Sequence, residues 1–168
     1  DTWKDWLAGS IADSRQNLEE LRKHGHDPAQ LAEIPLLVDL ERLAPLAGAR
    51  SDYPRPFTLL FVGRVMPHKN QQALIEAFAC LVRQVGVPLQ LNLVGGFTVP
   101  EYRDQLQARI AELGLEGCVC LTGKVDEARL AAHYRNSDLF VCLSRHEGFG
   151  MPLIEAMSFD VPVIAWDS

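Results

Sequence analysis

Two glutamates and two cations carry the chemistry this sequence can be read for. Glu147 and Glu155 lie eight positions apart in SRHEGFGMPLIEAM, residues 144–157. An ionised carboxylate accepts hydrogen bonds from two neighbouring hydroxyls at once, so each suits a diol. Gly148 and Gly150 permit a tight turn that exposes backbone N–H groups, and Pro152 suits the first turn of a helix. This pattern places Glu147 on a loop and Glu155 about one turn into the following helix. Two carboxylates so spaced can hold two diols, with loop amides and the positive helix end facing any negative charge between them. A nucleotide sugar has that layout: sugar hydroxyls, a diphosphate, then ribose hydroxyls. A purely structural reading stays open, with Glu147 solvated and Glu155 an ordinary helix glutamate. The neighbours Leu153, Ile154, Ala156 and Met157 weigh against it. A carboxylate in such an apolar run faces a cleft or is buried at a cost.

The cations stand in GRVMPHKN, residues 63–70. Gly63 closes an apolar run, and Arg64 and Lys69 flank the start of the next helical pattern. Free N–H groups and the helix dipole make such a start receptive to anions. Arg adds bidentate phosphate recognition and Lys a movable point charge. Two solvated surface cations are the plain alternative, and His68 reads as an ordinary loop histidine. Neither GxxxxGK[ST] nor GxGxxG occurs, so the two common phosphate fingerprints are absent.

These residues need elements to position them. Up to about residue 55, ADSRQNLEELRKHGHD reads as one helix with Ser14 as N-cap and Gly25 as stop. IPLLVDLERLAPL reads as a short strand and a turn, and SDYPRP as a polar joint. From Phe57 onward, apolar runs alternate with helical patterns. FTLLFVG, PLQLNLVGG, CVCLTG, DLFVCLS and VPVIAW are strands, with helices between them. The alternation predicts an α/β fold, a Rossmann-like parallel sheet with helices on both faces. Ligands of such sheets bind beyond the carboxyl ends of the strands. The fold would bring GRVMPHKN, GKVDE at 123–127 and SRHEGFG to one rim.

The whole chain narrows the choices. Its 168 residues, nearly half of them hydrophobic, suffice for one compact core with an appendage. A net charge of −6 leaves no basic footprint for nucleic acid. No apolar run approaches a membrane span, and no signal-peptide pattern opens the chain. Cys80, Cys118, Cys120 and Cys142 lack zinc spacing and read as reduced apolar core thiols of a cytosolic protein. The first residue is not methionine and the last lie just past an apolar strand, so the chain reads as a fragment of something longer.

HEGFGMPLIEA resembles the E-x7-E motif of the retaining glycosyltransferases of family 4, which have the GT-B fold. FVGRVMPHKN is similar to the phosphate-binding segment of that family. LVGG, LTGKV and the spacing from SDLFVCLS to PVIA fit in the same order, over roughly residues 8–168. The resemblance implies two Rossmann-like domains with a cleft between them. Residues 1–55 would be the tail of the acceptor domain and linker, and 56–168 the donor-binding C-terminal domain, truncated at its end. By position, Arg64 and Lys69 would bind the donor diphosphate and Glu147 the donor sugar. These three form the expected catalytic set. The amides of Gly148, Phe149 and Gly150 would line the sugar and phosphate, and Glu155 would hold the ribose. Val125 would meet the base through its backbone, with Leu130 behind it, and Gly63 and Leu153 complete the donor site. His146 is a variant position in the family, with a contact to donor or acceptor as one reading.

The implied activity is sugar transfer from a nucleotide-diphosphate sugar to a saccharide or lipid-linked acceptor bound by the absent domain. GDP-mannose is favoured and a UDP-sugar is the alternative, because the 146–168 wording is similar to mannosyltransferase-like members that build bacterial polysaccharides. No cofactor and no metal is expected, since no Asp-x-Asp triplet occurs and the cations can receive the leaving charge. Glu147 is expected to bind and stabilise rather than attack. The resemblance places the protein in the cytoplasm, with peripheral membrane association of the full-length form left open. The fragment alone is expected to bind nucleotide without transferring sugar. Two other readings stand beside this one: a non-catalytic sugar-nucleotide-binding module, and a GT-B nucleotide-sugar epimerase.

Overall fold

The computed structural model describes residues 8–35, 37–40, 42–46, 48–50, 54–145, 147 and 149–166. It divides into two compact units: residues up to Asp39 with Glu147–Gly150, and Leu40–His146 with Met151–Ser168.

In the first unit, β1 (Ser10–Ala12) pairs in parallel with β2 (Leu31–Glu33) across α1 (Arg15–Lys23). The Ser14 hydroxyl accepts from Asn17 N at 3.3 Å, capping α1 as its sequence predicts. Gly25 has φ +80 just beyond the last turn, the left-handed position where glycine is favoured. One expectation fails here. IPLLVDLERLAPL holds no strand among the described residues; the strand lies earlier, at Leu31–Glu33. Pro35 has no N–H to give a ladder, so pairing ends before it. β1, three residues long, was not anticipated either.

The second unit is a five-stranded parallel sheet in the order β5-β4-β3-β6-β7. Its elements run β3 (Phe57–Val62), α2 (Gln71–Gln84), β4 (Leu89–Val94), α3 (Pro100–Glu112), β5 (Val119–Gly123), α4 (Glu127–Arg135), β6 (Leu139–Cys142), α5 (Met151–Ser158) and β7 (Val163–Ala165). Four successive residues of β3, Thr58 to Phe61, are buried. A strand covered on both faces reads as a continuous apolar run, which is how FTLLFV appears in the sequence. Ile75 and Phe78 of α2, Leu106 of α3 and Tyr134 of α4 close the core around it. The chain first builds outward from β3 to β4 and β5, then returns to the other side of β3 for β6 and β7. Right-handed crossovers therefore put α2 and α3 on one face and α4 and α5 on the other. The order reverses between β3 and β6, so the ligand crevice of this fold class lies at their carboxyl ends.

The division between units falls after Asp39. The reason is packing: Leu43 is buried in the core of the second unit. The thiols differ from expectation too. All four cysteines are free, but only Cys142 is buried, while Cys80 and Cys120 are exposed. Cys120 points off edge strand β5, where alternation alternates core with surface.

At the amino edge, Asp138 fastens β6 to the segment entering β3. Its carboxylate accepts from both Arg55 Nη atoms at 2.7 Å and from Thr58 N at 2.8 Å, and pairs with Arg50. Burial pushes this carboxyl upward, but the Arg55 and Thr58 hydrogen bonds and the two guanidinium charges outweigh it, so the net displacement is below 3.8. A depressed carboxylate stabilises the fold above its unfolded value and loses that contribution as pH falls through the folded one. The urea midpoint of the wild type should therefore drop more steeply between about pH 5 and about pH 3 than that of Asp138→Asn. Parallel curves for the two proteins would contradict this account.

Candidate active site

The segment after β3 is held at several points. Val65 is fully buried, its N–H donates to Gly96 O at 2.9 Å, and it bridges to Phe97. Pro67–Lys69 forms a 3₁₀ turn, and Asn70 follows in the left-handed region at φ 57, ψ 32. The Asn70 side chain donates to Leu143 O at 3.1 Å, and Arg145 N donates to His68 O at 2.9 Å. The loop after β3 is thus tied to the loop after β6. Gln71, itself buried, donates from Nε2 to Arg64 O at 2.9 Å. Arg64 is exposed and Lys69 half-buried on this fixed frame. The α2 start is not wholly open, because the Tyr102 hydroxyl of α3 accepts from Gln72 N at 3.3 Å. It replaces the cap that Asn70, engaged elsewhere, does not supply.

Next to this loop, a cavity of about 460 Å³ opens at the carboxyl ends of β3, β4 and β5. Gly63, Arg64, Val125 and Leu130, four residues singled out from the sequence, all line it. Val125 and Leu130 give it an apolar wall. Sequence reasoning missed Phe97 and Lys124, which line it as well. The Arg103 guanidinium sits 5.7 Å from the Phe97 ring centroid, supporting the ring by a cation–π contact. The backbone of Gly95 closes the floor against Gly63.

Glu155 of α5 is largely buried, with 13% of its side chain exposed. Tyr134 Oη donates to its Oε2 at 2.8 Å, and Arg42 Nη2 reaches its Oε1 at 3.5 Å. Arg42 also pairs with Glu127. The burial of Glu155 is compensated by the hydrogen bond at Oε2 and the longer ion pair at Oε1, which leaves accepting capacity on the carboxylate. Leu153 packs against the core. Glu147, Phe149 and Gly150 belong to the first unit, half-buried, with Gly150 at φ +72 as a tight turn requires. Gly148 and His146 lie outside the described residues. Among the described residues, no three His, Cys, Asp or Glu side chains cluster as metal ligands would. No helix among them is long and apolar enough to cross a membrane.

Residues 50–168 match the profile of the family described as glycosyl transferases group 1. The chain belongs to that family. It is 34% identical to a D-inositol 3-phosphate glycosyltransferase of Kineococcus radiotolerans, over 96% of this chain and 39% of that protein. It is 35% identical to a mannosylfructose-phosphate synthase of Agrobacterium fabrum, over 85% of this chain and 32% of that protein. Among solved structures, Anabaena HepE in complex with UDP and glucose superposes with a TM-score of 0.78 at 23% identity, covering 97% of this chain and 45% of that one. The fold is thus the α/β, Rossmann-like fold of GT-B glycosyltransferases, as the sequence suggests. This group 1 domain spans about two fifths of the length of the first curated relative.

Proposed function

We propose that this chain is the donor-binding part of a retaining hexosyltransferase using a nucleoside-diphosphate sugar. One observation carries the reading. Gly63, Arg64, Val125 and Leu130 come from separate segments yet converge on one cavity at the carboxyl edge of the sheet. The nucleobase packs against the Val125 and Leu130 wall. The diphosphate lies toward Arg64 and Lys69. Glu155 takes the ribose hydroxyls, and Glu147 with the Gly148–Gly150 amides takes the sugar, as the E-x7-E pattern implies.

Transfer breaks the bond between the anomeric carbon and the diphosphate oxygen, and the electron pair leaves with the nucleotide. The acceptor hydroxyl oxygen bonds to the same face of that carbon, and its proton passes to the departing oxygen. Arg64 and Lys69 bind the leaving diphosphate more tightly as its charge grows, which lowers the barrier. Glu147 stabilises the oxocarbenium-like sugar rather than attacking it. Mannose is the favoured sugar and guanine the favoured base. The relative named for mannosylfructose-phosphate supports the sugar, and the two curated names together support a saccharide or polyol acceptor.

The test is a transfer assay of the complete protein with GDP-mannose and UDP-glucose, with and without EDTA. The anomeric configuration of the product is read by NMR. Retained configuration, undiminished by EDTA, is the expected result. An inverted product would overturn the retaining assignment, and a loss of rate with EDTA would overturn metal-independent leaving-group stabilisation.

A further inference from the structure

Glu155 sits on a helix, and a glutamate side chain there has several rotamers to choose from. Here one neighbour fixes the choice. Tyr134 is fully buried, and its ring is stacked 5.5 Å from Phe159 and 6.3 Å from Phe140. A ring held on two sides cannot follow the carboxylate if it swings, so its hydroxyl marks one point in space. That hydroxyl donates to Glu155 Oε2 at 2.8 Å. On the other side, Arg42 Nη2 stands 3.5 Å from Oε1, close enough to hold the charge without filling the carboxylate's accepting capacity.

We propose that Tyr134 is a positioning residue for the donor ribose, anchoring Glu155 Oε2 so that the remaining lone pairs meet the ribose hydroxyls. The proposal rests on the reading of Glu155 as the ribose ligand. Burial, the Glu155 charge and the shared hydrogen bond all push the Tyr134 phenol upward, so it stays a donor throughout the working pH range. Tyr134 touches no reacting atom; it acts through Glu155. Its two aromatic partners come from β6 and from the residue just after α5, so the anchor is built by the fold and not by the E-x7-E motif.

The experiment uses the complete protein, titrated calorimetrically with UDP and GDP and with the 2′-deoxy form of each. In the wild type, losing the 2′-hydroxyl should weaken binding about tenfold or more, as for a hydrogen bond to a charged group. Tyr134→Phe keeps both ring contacts and removes only the anchor. It should weaken the ribonucleotide about five- to tenfold and shrink the gap to the 2′-deoxy form to about twofold. With saturating donor, kcat should change little while KM rises, the pattern of lost uniform binding. A merely structural role would weaken both nucleotides equally; an undiminished gap therefore overturns the proposal. Glu155→Gln separates the two levels of the argument. If it also leaves the gap intact, or if neither nucleotide binds the wild type, the ribose reading has failed and the positioning role with it. If Glu155→Gln closes the gap and Tyr134→Phe does not, the positioning role alone is wrong.

Discussion

Alanine at Lys69 or at Arg64 should lower kcat on the order of 10²- to 10³-fold, the loss seen when one preorganised donor to a developing oxyanion is removed. The size follows from where charge appears. Breaking the anomeric bond concentrates negative charge on the departing diphosphate, and these two cations stand on the loop beside the cavity. That loop is preorganised: Gln71 holds the Arg64 carbonyl, and Asn70 and His68 tie it to the loop after β6. With the backbone fixed, only the two side chains would have to adjust at the moment of reaction, and a small reorganisation is what makes such groups effective. Arg64→Lys keeps the charge but not the bidentate fork, so it should recover only part of the rate. Because Arg64 is exposed, its alanine variant should unfold within about 0.5 kcal/mol of wild type. The double variant should lose less than the product of the two single losses, since both cations serve one charge. Steady-state kinetics on the complete protein checks these numbers; an unchanged kcat in both single variants would remove the cations from the mechanism.

Gly95→Ala should be the most damaging single methyl in the domain. Gly95 has φ +150, and a Cβ there would lie 1.9 Å from Gly63 O and 2.6 Å from Gly63 C. Those atoms are backbone and cannot rotate aside. They also belong to the turn that launches Arg64, and the strand ends around it are already bonded, Gly63 N to Val94 O at 2.9 Å and Gly95 N to Gly123 O at 3.0 Å. Relief requires β3 and β4 to part at the cavity floor, so a destabilisation of about 3–5 kcal/mol is expected, with donor affinity lost in whatever remains folded. Its neighbour provides the control. At Gly96 the nearest atom to an added Cβ is Lys124 Cβ at 3.9 Å, an ordinary contact. Gly96→Ala should cost less than about 1 kcal/mol in urea denaturation. Equal effects at the two positions would contradict the close-approach argument.

Much of this architecture is legible in the sequence because the sheet is parallel. β3 is a short apolar run and β4 alternates leucines with Gln90 and Asn92, each is closed by glycine, and α2 between them carries a helical period. Gly63, Arg64 and Val125 fall just after strands, where this fold collects its ligands, whereas Leu130, inside α4, could be named only through the family resemblance. Other features were not legible for physical reasons. β1 and β2 are three residues long, too short for a period to show. Phe97 and Lys124 reach the cavity only through the register of β4 on β5, which local pattern does not specify. Tyr134 and Arg42 meet Glu155 across separations of 21 and 113 residues, so their claim on that carboxylate is purely tertiary. Asn70 is an intermediate case. It follows Lys69 in the motif, yet its left-handed backbone and its bond to Leu143 appear only in three dimensions.

The proposed function rests on one central claim, that the cavity at the ends of β3, β4 and β5 receives a nucleoside diphosphate. Calorimetric titration of UDP and GDP into the complete protein and its Arg64→Ala variant tests it most directly. The account predicts saturable one-site binding of at least one nucleotide, weakened about tenfold or more by Arg64→Ala, the loss of a charge-assisted hydrogen bond. Absence of binding by both nucleotides up to roughly millimolar concentration, or equal affinity in the variant, would contradict it.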